Sequence, residues 1–109
     1  MCKNKRILRN TVKNKAFVES LPPVYLIGYW ARPGYLKCHF SGKYSEGEHT
    51  KYEPLVWNYD DHNGTADQYE LIPISFVTTG FRYWTFNENF AKLTVERMRK
   101  EAERDQIKF

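Results

Sequence analysis

Apolar and polar positions alternate in several short runs between residues 24 and 86. The clearest run is 35–40, where Leu36, Cys38 and Phe40 alternate with polar or amphipathic neighbours. A period of two places successive side chains on opposite faces of a strand. The pattern predicts five strands, at residues 24–30, 35–40, 55–59, 70–78 and 81–86.

Short connections between these runs indicate how the strands pair. Residues 31–34 contain Pro33 followed by Gly34, a pair that favours a tight turn, and Thr79 with Gly80 separates the last two runs. Strands joined this closely pair as antiparallel hairpins. The middle of the chain therefore predicts an antiparallel sheet.

After residue 86 the apolar spacing changes to three and four, which predicts a helix. Thr85 with Glu88 forms a capping-box pattern, and Asn87 is an alternative cap. Apolar side chains fall on one face, at Ala91, Val95, Met98 and Ala102. We expect this face to pack on the sheet. Three cations follow each other along the opposite face: Arg97, Lys100 and Arg104.

Residues 1–21 form a basic segment ahead of the strands. Its apolar residues recur every four positions, at Leu8, Val12 and Ala16. This spacing allows a short amphipathic helix, although repelling charges and several Asn or Thr residues also allow an arm that orders on binding. Pro22 and Pro23 end the segment, because proline supplies no donor and disfavours a helical predecessor.

Together these elements predict a single α+β domain in a chain of 109 residues. An antiparallel sheet of about five strands is packed by the C-terminal helix and makes up residues 22–109. A basic N-terminal arm or short helix makes up residues 1–21. A chain of this length can bury one core without disulfides or a metal ion.

The cellular compartment follows from what the sequence lacks. Two cysteines do not form a disulfide framework, which favours a reducing environment. The longest apolar run, residues 24–30, is far shorter than the about 20 residues of a membrane-spanning helix. No apolar signal segment follows the basic N-terminus. We expect a cytoplasmic protein with no membrane partner.

Charge is distributed unevenly within a formal net charge of +4. Residues 1–15 carry six cations and no acid, whereas residues 44–71 carry seven acids and one lysine. Such separated charge favours macromolecular partners with charged surfaces over small neutral ligands.

The first functional hypothesis is non-catalytic binding of nucleic acid. Cations from the N-terminal segment and the C-terminal helix would neutralise phosphates, while exposed rings would stack on bases. Residues 80–86 alternate aromatic side chains, a pattern that also occurs in strands that stack RNA bases. The predicted contact residues are Lys3, Lys5, Arg6, Arg9, Lys13, Lys15, Arg97, Lys100 and Arg104.

The second hypothesis is a small protein inhibitor of the kind that phages and mobile elements encode. In segment 44–71 the acids are interleaved with Tyr and Trp, which are favoured interface anchors. Such a surface would dock on a basic groove, including that of a nucleic-acid-processing protein. The predicted contact residues are Tyr52, Trp57, Tyr59, Asp60, Asp61 and Tyr69.

A third hypothesis, a small hydrolase, rests on Cys38 with His39, His49 or His62, which are the residue types of a nucleophile and its base. No pattern of a strained turn or an activated thiolate accompanies them. Further residues of metal-ligand type lack a recognised spacing: His49, Asp60, Asp61 and His62. We therefore predict no catalytic residue, no metal ion and no cofactor, and the oligomeric state stays open.

Overall fold

The computed structural model of the chain describes residues 7–46, 52–60 and 67–107. Two helices and six strands follow in chain order: β1 (Ile7–Arg9), α1 (Val12–Glu19), β2 (Pro23–Tyr29), β3 (Pro33–Tyr44), β4 (Pro54–Asp60), β5 (Gln68–Pro73), β6 (Phe81–Thr85) and α2 (Glu88–Ile107). A 3-10 turn, Ile74–Phe76, follows β5, so the strand predicted at 70–78 ends at Pro73. The predicted hairpin across Thr79 and Gly80 is also wrong, because β6 pairs with β2 and not with β5. This α+β architecture confirms the predicted fold class.

All six strands belong to one antiparallel sheet with the order β1-β5-β4-β3-β2-β6. The long strand β3 holds the sheet together, because residues 33–39 pair with β2 while Phe40 and Tyr44 pair with β4. The ladder between β3 and β4 is irregular, with a register shift between those two residues. Gly42 lies in this shift with a φ of 92°, a backbone angle that glycine adopts without strain.

The sixth strand is one more than the prediction of about five. β1 pairs with β5 through Ile7↔Glu70, Leu8↔Tyr69 and Arg9↔Gln68. Leu8 therefore belongs to a strand and not to a helix face. Val12 begins α1 but is 89% exposed, whereas Val18 is fully buried. The four-residue spacing in the sequence consequently did not mark the buried side of α1.

The hairpin between β2 and β3 also differs from the predicted turn. Pro33 and Gly34 are the first residues of β3, and the turn consists of Trp30, Ala31 and Arg32. Ala31 has a φ of 71°, and the Trp30 N–H donates to the Arg32 carbonyl at 3.0 Å. The change of direction is thus made before the proline.

Helix α2 confirms the predicted C-terminal helix. Its cap is Asn87, whose Oδ1 accepts a hydrogen bond from the Phe90 N–H at 3.0 Å. Ala91 and Val95 are buried against Tyr25 and Ile27 of β2, and Met98 packs against this cluster. The Tyr35 hydroxyl donates to the Glu88 carboxylate at 3.2 Å, which ties the start of the helix to β3.

The opposite face of the sheet carries the second core cluster. Its fully or largely buried members come from three strands and the 3-10 turn: Val24, Leu26, Cys38, Val56 and Ile74. Trp30 and Trp84 pack on this cluster while remaining partly accessible. Both faces of the sheet therefore contribute to the core. No helix in the described part of the chain is long and apolar enough to cross a membrane.

Candidate nucleic-acid interface

Helices α1 and α2 lie on the same face of the sheet. Tyr25, which packs under α2, is paired with Lys37 by register, so His39, two residues further along β3, shares that face. Glu19 at the end of α1 acts electrostatically on both His39 and Tyr69. Glu19 also lines one cleft together with His39 and Tyr69, so the end of α1 lies near β3 and β5, whereas α2 contacts β2, β3 and β6.

The predicted cationic line of α2 is exposed along its whole length. Arg97, Lys100 and Arg104 are all accessible to solvent, whereas Ala91 and Val95 on the sheet side are buried. Exposed acids share the helix, among them Glu96 and Glu101, but within residues 7–46, 52–60 and 67–107 no ion pair engages the three cations. Their charges are therefore available to an external partner.

The predicted N-terminal cations are divided between two faces. Lys13 and Lys15 are exposed on α1, on the helix-covered side of the sheet. Arg9 is exposed on β1, but its register with Gln68 places its side chain on the opposite face. The remaining three predicted cations, Lys3, Lys5 and Arg6, lie outside the described residues.

An acid of the middle segment anchors the basic N-terminal segment. Asp67 accepts hydrogen bonds from Asn10 Nδ2 at 3.0 Å and from the Tyr59 hydroxyl. The Asn10 N–H also donates to the Asp67 carbonyl at 3.1 Å. The two side-chain donors, first Tyr59 and then Asn10, hold the pKa of Asp67 below its ordinary value. The acidic middle thus contacts the N-terminal segment through neutral donors, and Lys13 and Lys15 form no ion pair with the described residues.

Cys38 and His39 lie beside a cleft of about 360 Å³ where β3 and β4 diverge. Burial raises the pKa of the Cys38 thiol to about 11, so the thiol stays protonated at neutral pH. Burial, with the nearby Lys37 ammonium, lowers the pKa of His39, while Glu19 opposes this shift. The buried Nδ1 of His39 has no hydrogen-bond partner among the described residues. A protonated thiol is a weak nucleophile, so the geometry adds no support to the hydrolase hypothesis.

The same region is a candidate for a metal site, because Cys and His are zinc-type ligands. Among the described residues, no group of three or more His, Cys, Asp or Glu side chains could hold a metal ion. His49, His62 and Asp61 lie outside those residues.

The residues of the acidic aromatic segment differ widely in exposure. Tyr52 is 73% exposed and Tyr59 is 44% exposed, whereas Trp57 is half-buried and Tyr69 is buried. The rings of Tyr59 and Tyr69 are 5.4 Å apart, so Tyr69 supports Tyr59 from within. Asp60 is the last residue of β4, and Asp61 lies outside the described residues. Tyr52 and Tyr59 are the side chains of this set that a partner can reach most easily.

Sequence analysis missed a second basic site at the far end of the sheet. Arg32 from the β2–β3 turn and Arg99 from α2 line one cleft of about 310 Å³ together with Tyr29 and Glu103. No sequence pattern links these residues, because 66 positions separate the two arginines. Only the packing of the C-terminal half of α2 above the hairpin brings them together.

Comparisons with protein-family models, with curated proteins and with solved structures each gave no match.

Proposed function

We propose that this protein binds nucleic acid without catalysing a reaction. The observation that carries the proposal is the line of exposed cations on α2, which form no ion pair with the described residues and lie on the same side of the sheet as Lys13 and Lys15 of α1. Phosphate neutralisation by Lys and Arg releases counterions and supplies most of the affinity in sequence-independent binding.

The length of the cationic line fits a phosphate backbone. Arg97 and Arg104 are seven positions apart, which corresponds to about 10 Å along a helix axis. A strand of duplex DNA offers a phosphate about every 3.4 Å along its axis. The line can therefore meet two or three successive phosphates.

The proposal is tested by neutralising the line. The triple variant Arg97→Gln, Lys100→Gln and Arg104→Gln should bind a fluorescently labelled 20-nucleotide strand more weakly than the parent. The slope of log affinity against log salt should decrease in magnitude by up to about 2, since each phosphate contact on a single strand contributes about 0.7. Fluorescence anisotropy at several salt concentrations measures both quantities.

A matched control uses the same helix. The variant Glu96→Gln with Glu101→Gln changes two charges on α2 outside the cleft that Glu103 lines, but it removes repulsion and should strengthen binding. Unchanged affinity and slope in the cation variant would overturn the proposal. Replacement of Arg9, Lys13 and Lys15 by Gln is the corresponding test for the N-terminal segment. Deletion is unsuitable there because it would also remove β1.

A second candidate function is inhibition of a protein with a basic groove. It is favoured by the exposure of Tyr52 and Tyr59 within a segment that is rich in acids. Tyr side chains at the centre of an interface often contribute more than 1 kcal/mol each. Affinity purification with and without nuclease separates the two functions, because a nucleic-acid ligand is lost on nuclease treatment and a protein target is retained.

A further inference from the structure

The cleft between the β2–β3 turn and α2 has the chemistry of a nucleotide site. Its lining residues include two guanidinium groups, from Arg32 and Arg99, one phenol ring, from Tyr29, and one carboxylate, from Glu103. A volume of about 310 Å³ is at the small end of the ligand-site range of about 300 to 1,000 Å³, which suits one small unit of a ligand.

The turn that presents Arg32 is held in place from the other side of the sheet. The Trp30 indole Nε1–H donates to Thr78 Oγ1 at 2.8 Å. The indole lies so close to Gly28 and Gly80 that a Cβ on either glycine would be under 3.0 Å from its atoms. The Tyr29 N–H donates to the Gly80 carbonyl at 2.9 Å. These contacts hold the backbone where β2 enters the turn, next to Tyr29 in the cleft.

Both arginines of the cleft are exposed to solvent. In the described part of the chain neither Arg32 nor Arg99 forms an ion pair, although Glu103 lines the same cleft. Guanidinium groups bind phosphate oxygens through paired N–H donors. Tyr29 is partly exposed and can stack on a planar ring, while the Glu103 carboxylate can accept from a sugar hydroxyl or an exocyclic amine. A plain anion would use only the arginines, whereas a nucleotide uses all four groups.

We propose that this cleft binds one nucleotide unit of single-stranded nucleic acid, with its phosphate on Arg32 and Arg99 and its base on Tyr29. The inference rests on the proposed function and narrows it to single strands. A base within a duplex is stacked and paired, so it cannot lie on Tyr29 without being extruded, which costs a few kcal/mol. In a single strand every base has an accessible face.

The test compares labelled single-stranded and duplex 20-mers of the same sequence by fluorescence anisotropy. The parent should bind the single strand on the order of tenfold more tightly, the contribution of about one stacked base. Arg32→Gln with Arg99→Gln should remove most of this preference. Tyr29→Ala should also reduce it, whereas Tyr29→Phe, which keeps the ring, should retain it. Thermal melting checks that each variant is folded.

A charge-matched control replaces Lys43 and Arg82 by Gln, since both are exposed cations outside the cleft. This control should lower the affinity for the single strand and for the duplex slightly and to the same extent. Equal affinity of the parent for single strand and duplex, or an equal loss in the control and in the cleft variant, would overturn the inference. The proposed function would survive either result if the α2 cation variant still weakens binding.

A free nucleoside 5′-monophosphate is the other source of the same chemistry. If the mononucleotide perturbs the NMR signals of Tyr29 while the arginine variants leave strand binding unchanged, the assignment to a strand is wrong. Competition between the mononucleotide and the single strand, lost in the arginine variants, would support it.

Discussion

At the scale of single residues, glycines decide how Trp30 packs. A Cβ on Gly80 would lie 2.4 Å from the Tyr29 carbonyl oxygen and 2.5 Å from Trp30 Nε1. A Cβ on Gly28 would lie 2.5 Å from the Gly80 carbonyl oxygen. Real Cβ atoms do not approach heavy atoms this closely, so these positions exclude any side chain. Gly34 differs, since its added Cβ would be 3.6 Å from the indole, an ordinary contact.

Gly80→Ala should therefore destabilise the protein by about 1 to 3 kcal/mol, because the added methyl group displaces the indole or the backbone of β2. Gly34→Ala is the matched control and should change stability by less than about 0.5 kcal/mol. Urea denaturation followed by tryptophan fluorescence measures both free energies of unfolding. Equal stability of the two variants would show that Trp30 can repack without cost.

At the scale of whole elements, α2 has one face that is buried against the sheet and one face that is exposed to solvent. Val95 is 5% exposed, whereas Leu93 is 64% exposed although both are apolar. Leu93 lies on the solvent side with the cations, so its methyl groups contribute little to the core.

Val95→Ala should consequently cost about 2 kcal/mol, through lost burial and a partly unfilled cavity. Leu93→Ala removes more carbon atoms but should cost less than about 0.5 kcal/mol. Thermal melts of the two variants at the same pH test this order. A larger loss for Leu93→Ala would mean that the faces of α2 are reversed.

The helix and the central strands could be predicted from the sequence because each has a regular apolar period. Ala91, Val95 and Met98 were predicted on the sheet side, and the described packing agrees. β1 could not be predicted, since three residues do not establish a period and pairing with β5 defines the strand. The turn at Ala31 was placed too late because Pro33 and Gly34 fit a turn locally but extend β3 in the fold.

The cleft at Arg32 could likewise not be predicted from the sequence, although the cationic line on α2 could. The line on α2 is local in sequence and could be predicted from spacing alone. The pairing of Arg32 with Arg99 depends on where α2 crosses the sheet, and this depends on the whole core. Sequence spacing identifies cations within one element and gives no information about cations that packing brings together.

At the scale of the whole molecule, the radius of gyration is 16.0 Å, larger than the about 13 Å of a compact chain of this length, and the principal extents are 58, 30 and 25 Å.

The two sides of the sheet differ in chemistry. Both helices and their exposed cations lie on one side. The other side carries a row of aromatic rings at contact distances of 5.1 to 5.5 Å: Tyr44, Phe40, Phe86 and Trp84.

One carboxylate supports the attachment of the basic N-terminal segment, in addition to the backbone pairing of β1 with β5. The Asp67 carboxylate accepts hydrogen bonds from Asn10 and Tyr59, so Asp67→Ala should loosen the segment on β5 while the rest of the sheet persists. Trypsin should then cut after Arg9, Lys13 or Lys15 severalfold faster, as measured by mass spectrometry over time. Glu70→Ala is the matched control, because Glu70 is an exposed acid of β5 that is paired by register with Ile7.

The same attachment should respond to acid in a defined direction. Hydrogen bonds from Tyr59 and Asn10 lower the pKa of Asp67 in the folded protein. The bonds therefore contribute fully above the ordinary Asp pKa and are lost as pH falls through the lower folded value. Hydrogen exchange of the β1 amides should accelerate in that acidic range relative to the amides of β2, after correction for intrinsic rates. In Asp67→Asn, which cannot ionise, this difference should not depend on pH. A pH-dependent difference that persists in Asp67→Asn would show that another group controls the N-terminal segment.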